Sequence, residues 1–367
     1  MSAARPRVGV IFGGRSGEHP ISIRSSRYVV DSLDRDRFDL LLVGIDRSGG
    51  WHLCSEAHYR TIDQEVRGAD TTPVVPVPRQ GRCGLLDPRD PACALPEIDV
   101  VFPVLHGPYG EDGTIQGLLE MLGVPYVGVG VLGAAVCMDK DVCKRLLRDA
   151  GVPVVPFAVV TAARWAREPA AVHAAAERLG TPLFVKPANL GSSLGVGRVA
   201  TQVELDGAVD RALALDTKIL IERAIAGREI ECAVLGNNEP LASLPGEIVP
   251  GEAFYSFDDK YAADSRAHLL IPAPLAAGLR ETVRELAVRA FLVLECAGMA
   301  RVDFFLEQGT DRLYVNELNT IPGFTSISMY PKLWEASGMS ARALVTRLIE
   351  LALERHASRQ RLDTRDR

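Results

Sequence analysis

Short apolar runs alternate with glycine breaks and amphipathic stretches through the first third of the chain. Residues 7–12 (RVGVIF) read as a buried strand broken by Gly13-Gly14, Pro20 opens a helix over residues 22–33, and residues 38–45 (FDLLLVGI) form a second strand. That succession predicts a βαβ unit and a parallel sheet. Residues 68–96 are rich in Pro, Gly and Asp, show no period, and are expected to be a surface excursion. The sheet resumes at 100–105 and ends at His106-Gly107. A helix is expected near 113–122 and a short strand at 124–127.

Later periods change character. Residues 139–150 read as a helix closed by Gly151 and Pro153. Residues 183–186 and 197–199 are strands joined by a glycine-rich turn, 203–214 is a helix, and 219–222 and 229–235 are strands. A long amphipathic helix is expected over 274–294. Residues 301–306 and 313–318 alternate as antiparallel strands around Gly309, and a helix over 340–355 closes the pattern before a charged tail expected to fray. The expected fold class is α/β (α+β): a parallel-sheet βα N-terminal domain followed by two α+β pieces. The domain boundaries are placed at 1–127, 128–222 and 223–367.

Length supports several domains: 367 residues exceed the usual size of a single core. With 41 basic against 47 acidic side chains, the chain has no basic footprint for nucleic acid. Its longest uncharged run, residues 121–138, is glycine-rich and short of the ~20 residues a membrane span needs. Residues 8–12 are too short an apolar core for a signal peptide. Seven cysteines without a C-x-x-C pair argue for a reducing cytoplasm, against a disulfide framework and against a zinc site. Only six of the 41 basic residues are lysines, none before Lys140. A point charge rather than a planar fork is therefore wanted at few positions.

Gly128-x-Gly130-x-x-Gly133 matches the dinucleotide fingerprint by letter, but the acid at the required distance, Asp149, lies inside a helix. The segment 184–197 (FVKPANLGSSLGVG) is more specific. A strand delivers Lys186, and a loop carrying Ser192, Ser193 and three glycines can close backbone N–H groups on phosphate oxygens. Arg301-Val-Asp303 and Asn316-Glu317-Leu-Asn319 sit on two apolar strands, with Glu317 and Asn319 on one face. Three oxygen donors beside a phosphate loop suit Mg²⁺. Unpaired carboxylates among Phe304, Phe305 and Leu318 would be costly. Residues 219–225 (ILIERAI) form a strand ending in Glu222 and Arg223 that can present polar groups to a nucleotide.

With Gly13-Gly-Arg-Ser-Gly-Glu18-His19, Leu105-His106-Gly-x-x-Gly-Glu-Asp-Gly, Met138-Asp-Lys140, Glu229-Ile-Glu231, the 254–261 segment ending Lys260-Tyr261, and the run 316–330 in the same order, the chain resembles the D-alanine–D-alanine ligase family of the ATP-grasp superfamily. The resemblance implies an ATP-grasp fold. It also implies ATP as co-substrate, two Mg²⁺ or Mn²⁺ ions, D-alanine as substrate, a cytoplasmic enzyme of peptidoglycan precursor synthesis, and a homodimer. By position it implies that Lys140, Lys186 and Ser193 meet ATP phosphates, while Glu222, Arg223, Ile225 and Glu229 meet adenine and ribose. Asp303, Glu317 and Asn319 would hold the metal ions. Glu18 would pair with the first D-alanine's ammonium beside His106. Arg301 and the Gly323 N–H would stabilise a tetrahedral oxyanion. Lys260, Ser328 and Met329 would meet the second D-alanine, and Glu18, Ser192 and Tyr261 would fasten a lid.

Within that chemistry the alternative product is D-alanyl-D-lactate or D-alanyl-D-serine. Tyr261, and Met329 in place of a basic residue, favour D-alanine. Three departures from the family pattern, Pro20-Ile21, Leu190 and Arg223, bear on the turn after Glu18 and on nucleotide contacts. Lys144, one turn after Lys140, reads as a solvent-facing partner of Asp141, and Lys218 and Lys332 read as surface residues.

Overall fold

The computed structural model describes residues 5–249 and 268–362. Its first sheet has six strands: β1 (Arg7–Gly13), β2 (Asp39–Ile45), β3 (Trp51–Cys54), β4 (Thr72–Arg79), β5 (Arg82–Leu86) and β6 (Val100–Pro103), in the order β5-β4-β3-β2-β1-β6. The β2-β1-β6 core is parallel, as the βαβ pattern predicts, and its crossover helix spans His19–Ser32. Pro20 sits in the first turn of that helix, where its missing N–H costs nothing. The Pro20-Ile21 departure therefore fits an ordinary helix start.

The expected excursion over 68–96 instead contains β4 and β5. Prolines at 73, 76 and 78 hide the strand period. They are tolerated because β4 pairs β3 only through Thr72, Pro73 and Val74, and β5 only from Val75 onward. The strand expected at 124–127 is reduced to a single parallel bridge between Val101 and Tyr126.

The second sheet is antiparallel, order β7-β10-β8-β9, from β7 (Phe157–Thr161), β8 (Leu183–Pro187), β9 (Gly197–Val199) and β10 (Lys218–Arg223). It has a core of its own, with Val160, Leu183, Val185, Val209, Ile219 and Ile221. The third sheet comprises β11 (Gly227–Gly236), β12 (Leu241–Ala242), β13 (Gly246–Val249), β14 (His268–Leu270), β15 (Gly298–Glu307) and β16 (Leu313–Asn319), all antiparallel.

Helices cover this third sheet from two directions. Val131–Met138, Lys140–Asp149 and Ala277–Val293 contribute Ala134, Leu147, Val283 and Phe291 to one core with Ile230, Val302 and Val315. The closing helix runs over Ala341–Gln360, five residues beyond its expected end. Leu344, Leu348 and Ile349 join a core shared by the first and third sheets. Helices Ala162–Arg167, Pro169–Leu179 and Met329–Ala336 lie in regions that sequence periodicity left unassigned, as do Glu56–Thr61 and Val131–Met138. In the 128–133 pattern Gly133 serves close packing, since a Cβ there would lie 2.7 Å from the Glu295 carbonyl, and Gly128 adopts φ +95°.

Candidate active site

A cavity of about 430 Å³ lies between the second and third sheets. Lys140, Lys186, Ser192, Ser193, Glu222, Arg223, Ile225, Glu229 and Glu317 all line it, although they are spread over 178 positions of sequence from 140 to 317. The antiparallel pairing brings them together. Leu220 opposes Lys186 and Glu222 opposes Phe184, so β8 and β10 deliver Lys186 and Glu222 to one face of the sheet. Asp139 caps the helix Lys140–Asp149 by accepting from the Asp141 and Val142 N–H groups, which fixes Lys140 at its first position.

One wall of the cavity is a chain of charges. Lys186 Nζ lies 2.6 Å from Glu222 Oε2 and donates to Asn316 Oδ1 at 3.2 Å. On the far side Lys144 Nζ lies 3.1 Å from Glu222 Oε1. Lys144 is 0% exposed, so the expectation of a solvent-facing partner for Asp141 is corrected. Arg145, not Lys144, pairs with Asp141. Burial pulls the Lys144 ammonium below the usual lysine range, with Glu222 acting in the opposite sense. Burial would raise the Glu222 carboxyl, but Lys144 and Lys186 outweigh it and hold it below the usual range. Lys218 is likewise no plain surface residue; its ammonium lies 2.6 Å from Asp139 and 3.0 Å from Asp141.

Lys140 donates to the Leu190 carbonyl at 2.7 Å and lies 3.6 Å from Glu317. The Leu190 departure therefore leaves this contact intact, since a backbone oxygen makes it. Arg223 lines the cavity, but its guanidinium donates to Glu307 and to the Tyr314 hydroxyl, each at 3.2 Å, and stacks over the Tyr314 ring.

Across the third sheet, Glu231 opposes Asp303, and Asp303 opposes Glu317, so three carboxylates stand side by side on adjacent strands. Like charges directly opposite one another repel and need cations among them. Arg301 supplies one: it donates to both Asp303 oxygens at 2.7 Å and lies 2.9 Å from Glu231. Burial works against its charge, but Asp303 and Glu231 prevail and raise its pKa well above normal. Asn319 opposes Arg301 and donates its amide to Asp303 at 2.8 Å. Asp303, Glu317 and Asn319 thus present hard oxygen donors from neighbouring register positions, a donor set that fits Mg²⁺ or Mn²⁺.

The second wall is built from the first sheet and the loop after β16. Ser192 donates to Glu18 Oε1. Ser192 and Ser193 both have positive φ, +51° and +59°, an uncommon conformation for residues other than glycine. Gly107, with φ +73°, leaves room for the Glu18 carboxylate: a Cβ there would lie 2.5 Å from Oε2.

A hydrogen-bonded stitch holds the loop in place. The His106 ring donates from Nδ1 to the Ile321 carbonyl at 3.0 Å, so Nε2 accepts from Ser25 Oγ at 2.9 Å. Ser25 Oγ in turn accepts from the Phe324 N–H at 3.2 Å. Both edges of His106 are occupied by protein, and burial lowers its pKa, partly offset by Glu18. Glu111 accepts from the Ile321 N–H at 3.0 Å and from the Gly107 N–H at 2.9 Å. Burial, and then the Glu18 charge, push the Glu111 carboxyl up to about 7.

Gly323 lies in the stitched loop, against the Ser328 hydroxyl; a Cβ there would approach Ser328 Oγ to 2.8 Å. Ser328 Oγ also accepts from the Thr325 N–H at 2.9 Å. Met329 is buried in the core at the start of its helix, beside Gly246. Lys260 and Tyr261 lie outside the described residues.

Four participants escaped the sequence reading. Lys144 sits in a helical pattern whose polar face also carries Lys140 and Arg145, so nothing local marks it as buried. Ser25 reads as one polar residue of an amphipathic helix. Glu111 and Glu231 fall inside the quoted motifs, and that was the available signal.

A family model for the D-ala D-ala ligase N-terminus matches residues 7–129, and one for the D-ala D-ala ligase C-terminus matches residues 146–350. The chain is 48% identical over 362 residues to D-alanine–D-alanine ligase A of Escherichia coli K12, covering 98% of each. It is 50% identical to the ligase A of Chromobacterium violaceum, covering 95% of each. Among solved structures, the D-alanine-D-alanine ligase from Coxiella burnetii superposes with a TM-score of 0.85 at 38% identity, covering 98% of this chain and 97% of that one. The VanG D-Ala:D-Ser ligase from Enterococcus faecalis gives 0.83 at 34% identity, covering 95% and 100%. The chain belongs to the D-alanine–D-alanine ligase family.

Proposed function

We propose that this protein joins two D-alanines to D-alanyl-D-alanine at the expense of ATP. The observation that carries the reading is the convergence of Lys140, Lys186, Glu222 and Glu317 on one cavity, bordered by the Glu18–Ser192 clasp. ATP phosphorylates the carboxylate of the first D-alanine, whose ammonium pairs with Glu18. The amine of the second D-alanine attacks the acyl phosphate, a tetrahedral intermediate forms, and phosphate leaves.

Charge builds first on phosphoryl and then on acyl oxygens, so fixed cations and N–H donors are the main aid the protein can give. Lys140, Lys186 and Ser193 hold phosphate oxygens. Glu222, Arg223, Ile225 and Glu229 surround adenine and ribose, with Arg223 acting from its anchored position beside Tyr314. Arg301 and the Gly323 N–H face the oxyanion. Lys260, Ser328 and Met329 shape the second D-alanine site, and Glu18, Ser192 and Tyr261 fasten the lid that excludes water from the acyl phosphate. Asp303, Glu317 and Asn319 would hold two Mg²⁺ or Mn²⁺ ions, which when bound neutralise charge on the transferring phosphoryl group.

We place the protein in the cytoplasm, in the supply of peptidoglycan precursors, with domains 1–127, 128–222 and 223–367. No helix among the described residues is long and apolar enough to cross a membrane. A homodimer is supported by Leu118, Met121, Val131 and Leu132, large apolar side chains exposed on the neighbouring helices Thr114–Leu122 and Val131–Met138.

The test is ATP-dependent phosphate release with D-alanine alone, then with added D-lactate or D-serine. Turnover with D-alanine alone is expected. Its absence, with turnover appearing only on adding D-lactate or D-serine, would move the assignment to the depsipeptide or D-serine product.

A further inference from the structure

None of the roles above uses Lys144, the most deeply buried ammonium at the cavity wall. Its one counterion among the described residues is Glu222 Oε1 at 3.1 Å, while the other oxygen of the same carboxylate is 2.6 Å from Lys186. Two ammonium groups therefore share one carboxylate, and the three groups together carry one unit of positive charge. Without Lys144, Glu222 would become the private counterion of Lys186 and the sum would fall to zero.

Burying such a cluster brings little stability by itself, because desolvation roughly offsets the attraction. A methionine would fill the Lys144 space at no such cost. The surplus charge therefore has its use on the cavity side, where Lys186 is part of the lining and Lys144 is not.

We propose that Lys144 is a positioning residue for nucleotide: it takes up the Glu222 charge so that Lys186 keeps a full positive charge for the anionic phosphates of ATP. This rests on reading the cavity as the ATP site. The role is electrostatic and acts through Glu222, so it touches the phosphates of the nucleotide far more than its adenosine part.

The distinguishing quantity is the ratio of the adenosine to the ATP dissociation constant, measured by calorimetry on the full chain at fixed Mg²⁺ without D-alanine. In Lys144→Met that ratio is expected to fall roughly ten- to a hundredfold, as loss of one nearby unit charge requires. In the double variant Lys144→Met/Glu222→Gln, Lys186 is free of its counterion again, and the ratio is expected to recover most of the loss even if both affinities are weaker. A wild-type ratio in the single variant would overturn the proposal. So would a fallen ratio that the double variant fails to restore, since the loss would then lie in packing. Wild-type protein that binds no ATP would instead remove the nucleotide reading itself.

Discussion

Two ion clusters hang from the helix Lys140–Asp149, and they differ in one respect. At its N-terminus, Lys218 lies between Asp139 and Asp141, and Arg145 lies on the other side of Asp141. Two cations meet two carboxylates, and the sum is zero. One turn further on, Lys144 and Lys186 share Glu222, and the sum is +1. The neutral cluster is partly open to solvent and the charged one is buried beside the cavity. A fold holding charge only for its own stability has reason to balance it; an unbalanced, buried cluster marks where an anion is to be received.

The strongest way to break that contrast is to remove the charge presented to the cavity. Lys186→Ala is expected to lower turnover by a factor of about 10² or more, because a fixed cation at a developing phosphoryl charge is lost. Glu317→Ala is expected to do the same through the metal set. Both should keep the far-UV circular dichroism of the parent, since Glu222 retains Lys144 and β16 retains its pairing. Phosphate release at saturating D-alanine measures the effect, and near-parent activity in either variant would remove that residue from the site.

On the other wall the expected effect is smaller and falls on a different substrate. Gly107→Ala puts a Cβ at φ +73° and 2.5 Å from the Glu18 carboxylate. Displacing Glu18 should raise the KM for D-alanine roughly tenfold, equivalent to about 1.4 kcal/mol, and leave the KM for ATP within twofold. An equal rise for both substrates would mean that the glycine supports the site generally rather than the Glu18 pocket.

Glu111 sharpens the contrast through pH. Its carboxyl titrates near 7 in the folded chain, against the usual carboxylate value of about 4.3 when unfolded. Between those values the folded state binds the extra proton, so this group's contribution to stability is present at low pH and declines as pH rises toward 7. The decline is expected to be about 1–3 kcal/mol. Urea titrations at pH 5 and pH 7.5 should show it in the parent and not in Glu111→Gln. The same pH dependence in both proteins would place the titration elsewhere.

How much of this was legible in the sequence follows the range of the interactions. The parallel core, the flap strands and the β15–β16 pair are written in local periods of two and 3.6, so their positions were readable. The strand β4 was not, because proline obscures its alternation while edge-like pairing on each half tolerates it. Residues with a chemistry of their own, such as Lys186, Asp303 and Glu317, were visible in motifs. Lys144 and Ser25 act through partners 78 and 299 positions away, Glu222 and Phe324, and no local pattern encodes such a distance.

The smallest effect belongs to the neutral cluster, and it is the control for the charged one. Lys218 is about one-fifth exposed, and its loss leaves Asp139 still capping the helix and Asp141 still paired with Arg145. Lys218→Met is therefore expected to cost about 1 kcal/mol of stability, a cost that shrinks in 0.5 M salt as screening weakens the repulsion left between the two carboxylates. The adenosine-to-ATP ratio should stay at its parent value, because the removed charge was balanced and lies outside the cavity. If Lys218→Met lowered that ratio as far as Lys144→Met, charge balance would not be what separates the two clusters, and distance from the helix N-terminus would have to explain both.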